Sequence, residues 1–372
     1  LIGLDAGAAF NDPALCAMLR DRIDAVARTL PRITLMEVCG THTDAFFRFG
    51  VRGLLPQNLR VISGPGCPVC VTPTATIDLA IRLAAERDVH IVTFGDMIRV
   101  PGSNSSLERE RARGARLDVV YSPIDAIPLA RAEPQKTFVF LGVGFETTAP
   151  TVAMMIERAE REGIPNLRVL AAHKLVPPAL HALLSNPALR VDGLILPGHV
   201  SVILGSDAYR FVAERYRIPG TVCGFEPVDL LRGVLDLLEM RASGVPRITN
   251  AYARAVSPEG NRRALAVLDA VFEPEDAVWR GLGMIPASGL ALRPHLHHRD
   301  ALALLDPGEV DRITREARDE EGCLCGEILC GTALPPDCPL FGAVCTPESP
   351  VGPCMVSSEG TCAAYFKYGE GR

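Results

Sequence analysis

The sequence predicts an α/β protein: two parallel-sheet domains followed by a C-terminal lobe rich in loops and helices. Three observations carry this. Short apolar runs alternate with amphipathic helical patterns over the first two-thirds of the chain, the mark of parallel sheets covered on both faces. The alternation fades after about residue 246, where Gly, Pro and Cys become frequent. Seven of the twelve cysteines fall between Cys323 and Cys362.

In the first stretch, 1–134, the runs ITLMEV (33–38), RVIS (60–63), VHIVTF (89–94) and LDVVYS (117–122) read as strands, and 74–87 reads as a helix. In the second, 135–245, TFVFLGVG (137–144), RVLAA (168–172), GLILPG (193–198) and TVCGF (221–225) read as strands, with a helix in TAPTVAMMIERAEREG. GFE follows a strand twice, at Gly144 and Gly224, a weak hint of related units. The third stretch, 246–372, shows helical patterns at 257–272 and 307–322 before the cysteine-rich tail.

Composition narrows the function. The 372 residues include 48% hydrophobic types, enough for ordinary cores. With 38 basic and 44 acidic residues and no basic block, a nucleic-acid surface is not expected. The first residues carry Asp5 and no basic run, unlike a secretory signal. The longest apolar stretch, from Gly193 to Gly205, is short for a membrane span and contains Pro197 and His199. A soluble cytoplasmic protein is expected, and in a reducing compartment many cysteines suggest metal ligation or redox chemistry rather than a disulfide framework.

The tail has few large apolar residues, so hydrophobic burial offsets little of its ordering entropy. A metal supplies what is missing, since its binding free energy becomes folding free energy. Thiolates serve both zinc and iron–sulfur clusters. The wide spacing of Cys325, Cys338, Cys345 and Cys362 favours a cluster over the close pairs usual for structural zinc. Cys323 and Cys325, two residues apart, point oppositely on an extended backbone, so only one is expected to join a given site.

Further thiols follow the first two strands: Cys39 in MEVCGTHT, and Cys67 and Cys70 in SGPGCPVCVTP. The carboxyl edge of an open parallel sheet is where ligands bind. CPVC has redox spacing, and equally offers two soft ligands with Cys39 as a third; a turn with incidental buried cysteines is the bland alternative. Asp96, Glu146, His173, His199 and Glu226 also sit at expected strand ends and together describe a polar cleft between domains. Cys16 and Cys223 read as structural, and His295, His297 and His298 as a solvated turn. No GxxxxGK(S/T) phosphate loop is present.

Taken together, MEVCGTHT, SGPGCPVCVTP, FGDMIRVPGS, GFETTAP, LPGHVSVI, GFEP and CMVSSEGTCAAYFKYG resemble the HypD family of NiFe-hydrogenase maturation proteins, from about Met36 to Tyr368. The resemblance implies two α/β domains and a lobe whose C-x12-C-x6-C-x16-C motif, here Cys325, Cys338, Cys345 and Cys362, holds a 4Fe-4S cluster. It implies an iron-site cysteine at Cys39, a CxxC at Cys67 and Cys70, and His42 as a neighbour. It implies a scaffold that works with the chaperone HypC, receives cyanide from HypE, and completes an Fe(CN)2(CO) unit destined for the hydrogenase large-subunit precursor. Cys323 and Cys354 are then candidates for a second dithiol, relaying electrons from the cluster to Cys67 and Cys70. Glu146 is a candidate for handling protons or placing the HypE tail. Cys330 departs from the family, which usually carries a basic residue there. The alternative is a thiol–disulfide oxidoreductase of the ferredoxin–thioredoxin reductase kind.

Overall fold

The computed structural model describes residues 10–369. The opening segment around Asp5, read above for a signal, lies outside the described residues.

The described residues open with helix α1 (Pro13–Ala27), strand β1 (Ile33–Glu37) and helix α2 (Gly40–Arg48). Next come β2 (Leu59–Ser63), the single turn α3 (Pro68–Val71), α4 (Thr74–Ala84) and β3 (Val89–Thr93). They are followed by α5 (Leu107–Ala112), β4 (Arg116–Val119), α6 (Ala126–Ala132), β5 (Thr137–Gly142), α7 (Ala149–Arg161) and β6 (Leu167–Ala171). Then come α8 (Val176–Leu184), β7 (Gly193–Leu196), α9 (Gly198–Leu204), α10 (Arg210–Tyr216), β8 (Gly220–Val222), α11 (Pro227–Ser243) and β9 (Ile248–Asn250).

Among the described residues these strands form two sheets, ordered β2-β1-β7-β8-β9 and β4-β3-β5-β6, and every pairing in both is parallel. The expected α/β class with parallel sheets is therefore what the chain adopts. Each sheet draws strands from both sides of residue 135: β1 and β2 pair into one sheet with β7, while β3 and β4 join β5 in the other.

The strands were legible because they are buried on both faces. All five residues of β3 and all four of β7 are buried, so each appears in sequence as an unbroken apolar run. One core packs α1, α2 and α11 on the first sheet through Ile23, Phe46 and Val234. A second packs α6 and α7 on the other sheet through Ile127, Phe140 and Ile156. A third runs between the sheets and on to the tail, joining Ile62, Cys70, Leu141 and Leu194 to Cys325 and Ile328.

After β9 the chain forms α12 (Arg262–Val271) and an antiparallel hairpin, β10 (Phe272–Trp279) and β11 (Gly283–Leu292). The sequence reading missed this hairpin. FEPEDAVW carries four exposed or half-exposed residues in succession and a bulge between Glu275 and Ala277, so period-two alternation is lost. Beyond it lie α13 (Pro307–Glu316), the short α14 (Cys325–Leu329) and α15 (Thr361–Tyr368), separated by irregular backbone. No helix among the described residues is long and apolar enough to cross a membrane.

Arg299 fastens the segment after the hairpin to the second sheet. Its side chain is buried and donates to the carbonyls of Ile164 and Leu167, with Nε on Glu160. Replacing Arg299 by Ala strands those carbonyls and is expected to cost about 2 to 3 kcal/mol, read as a lower urea midpoint with unchanged slope.

Candidate functional site

The site is built where the order of strands reverses. In the first sheet the chain steps from β1 to β2 on one side and from β7 to β8 on the other, so a crevice opens beyond the carboxyl ends of β1 and β7. Cys39 ends the β1 loop and is the N-cap of α2. The loop after β2 closes over it: the Gly40 N–H donates to the Gly66 carbonyl at 3.0 Å. A Cβ on Gly66 would lie 2.2 Å from the Cys39 nitrogen, so only glycine permits this approach. Cys67 and Cys70 follow at once, joined by a disulfide across α3 with a Cα–Cα distance of 5.2 Å. As a disulfide the pair offers no thiolate; reduction frees both sulfurs as soft ligands.

Around Cys39 the side chains are buried and largely uncharged. Burial pushes its thiol up to about 12, with Glu359 and Glu37 adding to the effect and the His42 N–H and Thr41 hydroxyl opposing it. Glu37 is fully buried; it accepts from the Cys39 N–H at 3.1 Å and from Thr43, and burial pushes it up to about 7. His42 is also fully buried. Its Nε2 lies 3.2 Å and 3.1 Å from the carbonyls of Cys223 and Gly224, which fixes the proton there. Nδ1 is left without a partner and burial pushes the ring down to about 4, so it is neutral. Phe225 lies between two imidazoles, 4.8 Å from His42 and 4.0 Å from the exposed His199.

The second sheet presents Glu146 after β5 at its own reversal point between β3 and β5. The carboxyl is buried; Oε1 accepts from the Val176 N–H at 2.9 Å and Oε2 has no partner. Tyr209 is fully buried and its hydroxyl pairs with Ser201. Its hydroxyl is raised by burial and then by Glu146 and Cys39, so both stand within its electrostatic reach.

The other polar residues expected in the cleft separate. Asp96 is exposed and accepts from Ser357 at 2.8 Å. His173 is buried with both ring nitrogens unpartnered, and Glu226 caps α11. His295 and His297 are exposed, and His298 pairs with Glu160 at 2.8 Å. Cys16 is half-buried in α1. Buried Cys223 contributes its carbonyl to His42 rather than a ligand. Sequence reasoning missed Glu359, whose Oε1 accepts from Thr41 at 2.7 Å. It also missed Tyr209 and Glu37. The EG of SSEG was the signal for Glu359, but nothing local ties it to Thr41 and the Cys39 loop across 318 residues.

The tail thiols gather behind α3. Cys325, Cys338, Cys345, Cys354 and Cys362 are buried and Cys323 half-buried. The sulfurs of Cys325 and Cys354 are 2.7 Å apart. Cys325 is held below the ordinary thiol value by hydrogen bonds from Cys323 and Cys354, whose own thiols the same contacts push up. Cys323 and Cys354 thus flank Cys325 rather than pairing with each other. Among the described residues no group of three or more His, Cys, Asp or Glu is placed to hold a metal ion. The donors nevertheless fit a cluster in kind. The Val351 N–H points at the Cys345 sulfur, 3.3 Å away. A Cβ on Gly352 would meet the Cys323 sulfur at 2.8 Å, so the backbone there cradles sulfur. Cys330 stands apart, its sulfur 3.3 Å from the Gly281 carbonyl.

Glu146 makes one consequence measurable. Burial pushes its carboxyl up from the ordinary 4.5 to about 7. Between those values the folded chain holds a proton that the unfolded chain has released, so stability falls as pH rises from about 5 to about 7. For this residue the fall across that window is about 2 kcal/mol. Denaturation of the wild type and Glu146→Gln across that window is expected to show the variant gaining on the wild type by about this amount.

Comparison with known sequences agrees with this architecture. A family model, HypD, described as the hydrogenase formation hypA family, matches residues 14–369. The hydrogenase maturation factor HypD of Rhodobacter capsulatus is 46% identical over 98% of this chain and 98% of its own length. Its namesake in Azotobacter vinelandii is 44% identical, covering 98% and 96%. That of Escherichia coli is 42% identical, covering 94% and 93%. With the match running through the Cys39 loop, the CPVC turn and the cysteine lobe alike, the chain belongs to the HypD family of hydrogenase maturation factors.

Proposed function

We propose that the chain is a cytoplasmic scaffold on which an iron atom acquires two cyanides and one carbon monoxide, the cargo being Fe(CN)2(CO) for a NiFe-hydrogenase large-subunit precursor. The observation that carries this reading is the placement of Cys39 against the Cys67–Cys70 turn at the carboxyl edge of the first sheet, with the cysteine lobe packed behind. Cys39 and, once reduced, Cys67 and Cys70 are soft donors carried by two loops at one sheet edge, the donor type a cyanide-binding iron takes. HypC is the partner that completes the iron's shell and carries the cargo away, and HypE is the donor of cyanide.

Cys39, with Cys67 and Cys70 once reduced, binds the iron. His42 holds its ring in one tautomer through the carbonyls of Cys223 and Gly224. Glu146, titrating near neutrality, takes and returns a proton at the rim of the second sheet. Cys325, Cys338, Cys345 and Cys362 are assigned to a 4Fe-4S cluster, which when bound supplies electrons. Cys323 and Cys354 flank Cys325, and Cys70 lies 3.9 Å from the carbonyl of Pro353, next to Cys354. That contact supports a path from Cys354 to the disulfide turn.

Anaerobic purification with iron and acid-labile sulfide analysis tests the reading, together with infrared bands of bound cyanide and carbon monoxide. Cys39→Ala is expected to abolish those bands and reduce hydrogenase maturation at least about 100-fold, while visible absorbance from the tail persists. Catalytic reduction of a disulfide partner with no second iron population would favour the oxidoreductase alternative instead. Replacing Cys323 and Cys354 together by Ser is expected to leave the absorbance intact and block cyanide transfer; normal maturation in that double variant would remove the two thiols from the electron path.

A further inference from the structure

A cavity of about 540 Å³ lies on the far side of the Cys67–Cys70 turn. Its apolar wall includes Leu79, Leu170, Trp279 and Leu302, and its polar wall includes Lys174 and Arg280. Both cations are more than nine-tenths buried, at 6% and 7% exposure. The Lys174 ammonium has Glu275 as an electrostatic neighbour but no hydrogen-bond acceptor among the described residues. Arg280 uses Nε on the Thr72 carbonyl and Nη1 on Asp319, and Nη2 has no partner. Thr74, Ala75 and Thr76, the first residues of eleven-residue α4, line the same space, and no side chain caps that helix.

A buried guanidinium nitrogen without an acceptor, beside the ammonium of a largely buried lysine and an uncapped helix start, describes a place for negative charge. Three carboxylates also line the cavity, Glu275, Asp276 and Asp319, and all three residues are exposed. Water screens their charges, and two are engaged: Asp276 accepts from the Ala287 N–H and Asp319 from Thr74 and Arg280. Asp319 occupies Arg280 Nη1, which leaves Nη2 and the Lys174 ammonium as the donors open to a guest anion. The volume falls within the usual range of about 300–1,000 Å³ for small-molecule sites. Apolar walls with a few convergent polar groups are the usual character of such sites.

We propose that this cavity binds a small organic carboxylate, its charge met by Lys174 and the free Arg280 nitrogen and its apolar body lying on Trp279 and the neighbouring leucines. The site is separate from Cys39 and does not depend on the iron reading. Arg280 also connects it to the disulfide turn: its backbone N–H donates to the Val71 carbonyl at 2.9 Å and its Nε to the Thr72 carbonyl at 3.0 Å. A bound acid therefore sits one residue from the hydrogen bonds that hold the turn.

Trp279 is the chain's only tryptophan, so its fluorescence reports the cavity directly. The full chain is titrated with isocaproate, with its neutral isostere isocaproamide, and with inorganic phosphate. Isocaproate is expected to shift the emission saturably and to bind at least about tenfold more tightly than the amide. Lys174→Met and Lys174→Gln are each expected to weaken the acid about tenfold or more and leave the amide unchanged, whereas Lys174→Arg, which keeps the charge, restores binding. Absence of a saturable shift overturns the proposal, as does equal binding of acid and amide or an unchanged affinity in Lys174→Met. Phosphate competing as strongly as isocaproate would also overturn it, showing a site for inorganic anions only.

Discussion

The structure turns on one close approach, the Gly66 backbone lying directly on Cys39. The two loops come from adjacent parallel strands, β1 and β2, whose carboxyl ends are in register through Glu37 and Ser63. Parallel pairing places both loops on the same edge. The hydrogen bond from Gly40 to the Gly66 carbonyl then locks them together. Any side chain at residue 66 would meet the Cys39 backbone and push the CPVC turn away from it. The reversal of strand order between β1 and β7 leaves the space beyond them open instead of filled by a crossover helix.

Burial at this edge has a uniform electrostatic sense. Cys39, Glu37 and Glu146 are all pushed toward their protonated forms and His42 toward its neutral form, in each case with loss of solvation as the largest cause. Such a pocket disfavours isolated charge of either sign. A cation entering it meets groups that become good ligands only by giving up protons, so binding and proton release are coupled.

Much of this was legible in the sequence, and the reason differs for each part. The strands were plain because parallel strands covered on both faces are continuous apolar runs. Cys39, Cys67 and Cys70 were plain because each falls just past such a run, and a sheet's geometry does the rest. The hairpin at 272–292 was not, since FEPEDAVW is mostly exposed and its bulge breaks the alternation. The way the strands are shared between sheets was equally hidden. β7 pairs with β1 rather than with β6, its predecessor in the chain, and no local feature of GLIL encodes that choice. Glu359, Tyr209 and the carbonyl of Cys223 reach the site only through tertiary packing, and a backbone carbonyl has no sequence signature at all.

The tail's dependence on its sulfurs follows from the same accounting of burial. Between Cys323 and Cys362 the regular structure is one five-residue helix, two short 3-10 turns and the start of α15. Its buried residues include Ile328, Leu329 and Met355, but five are cysteines. A segment this irregular recovers little of its conformational entropy from apolar contact, so the thiols must pack as core, which they do in the shared cluster with Ile62 and Leu141. That arrangement makes the lobe and the disulfide turn one mechanical unit. Cys70 rests against the Pro353 carbonyl on one side, and Arg280 holds the Val71 and Thr72 carbonyls on the other. The Pro353 carbonyl thus joins the lobe to the turn whose Gly66 backbone packs on Cys39.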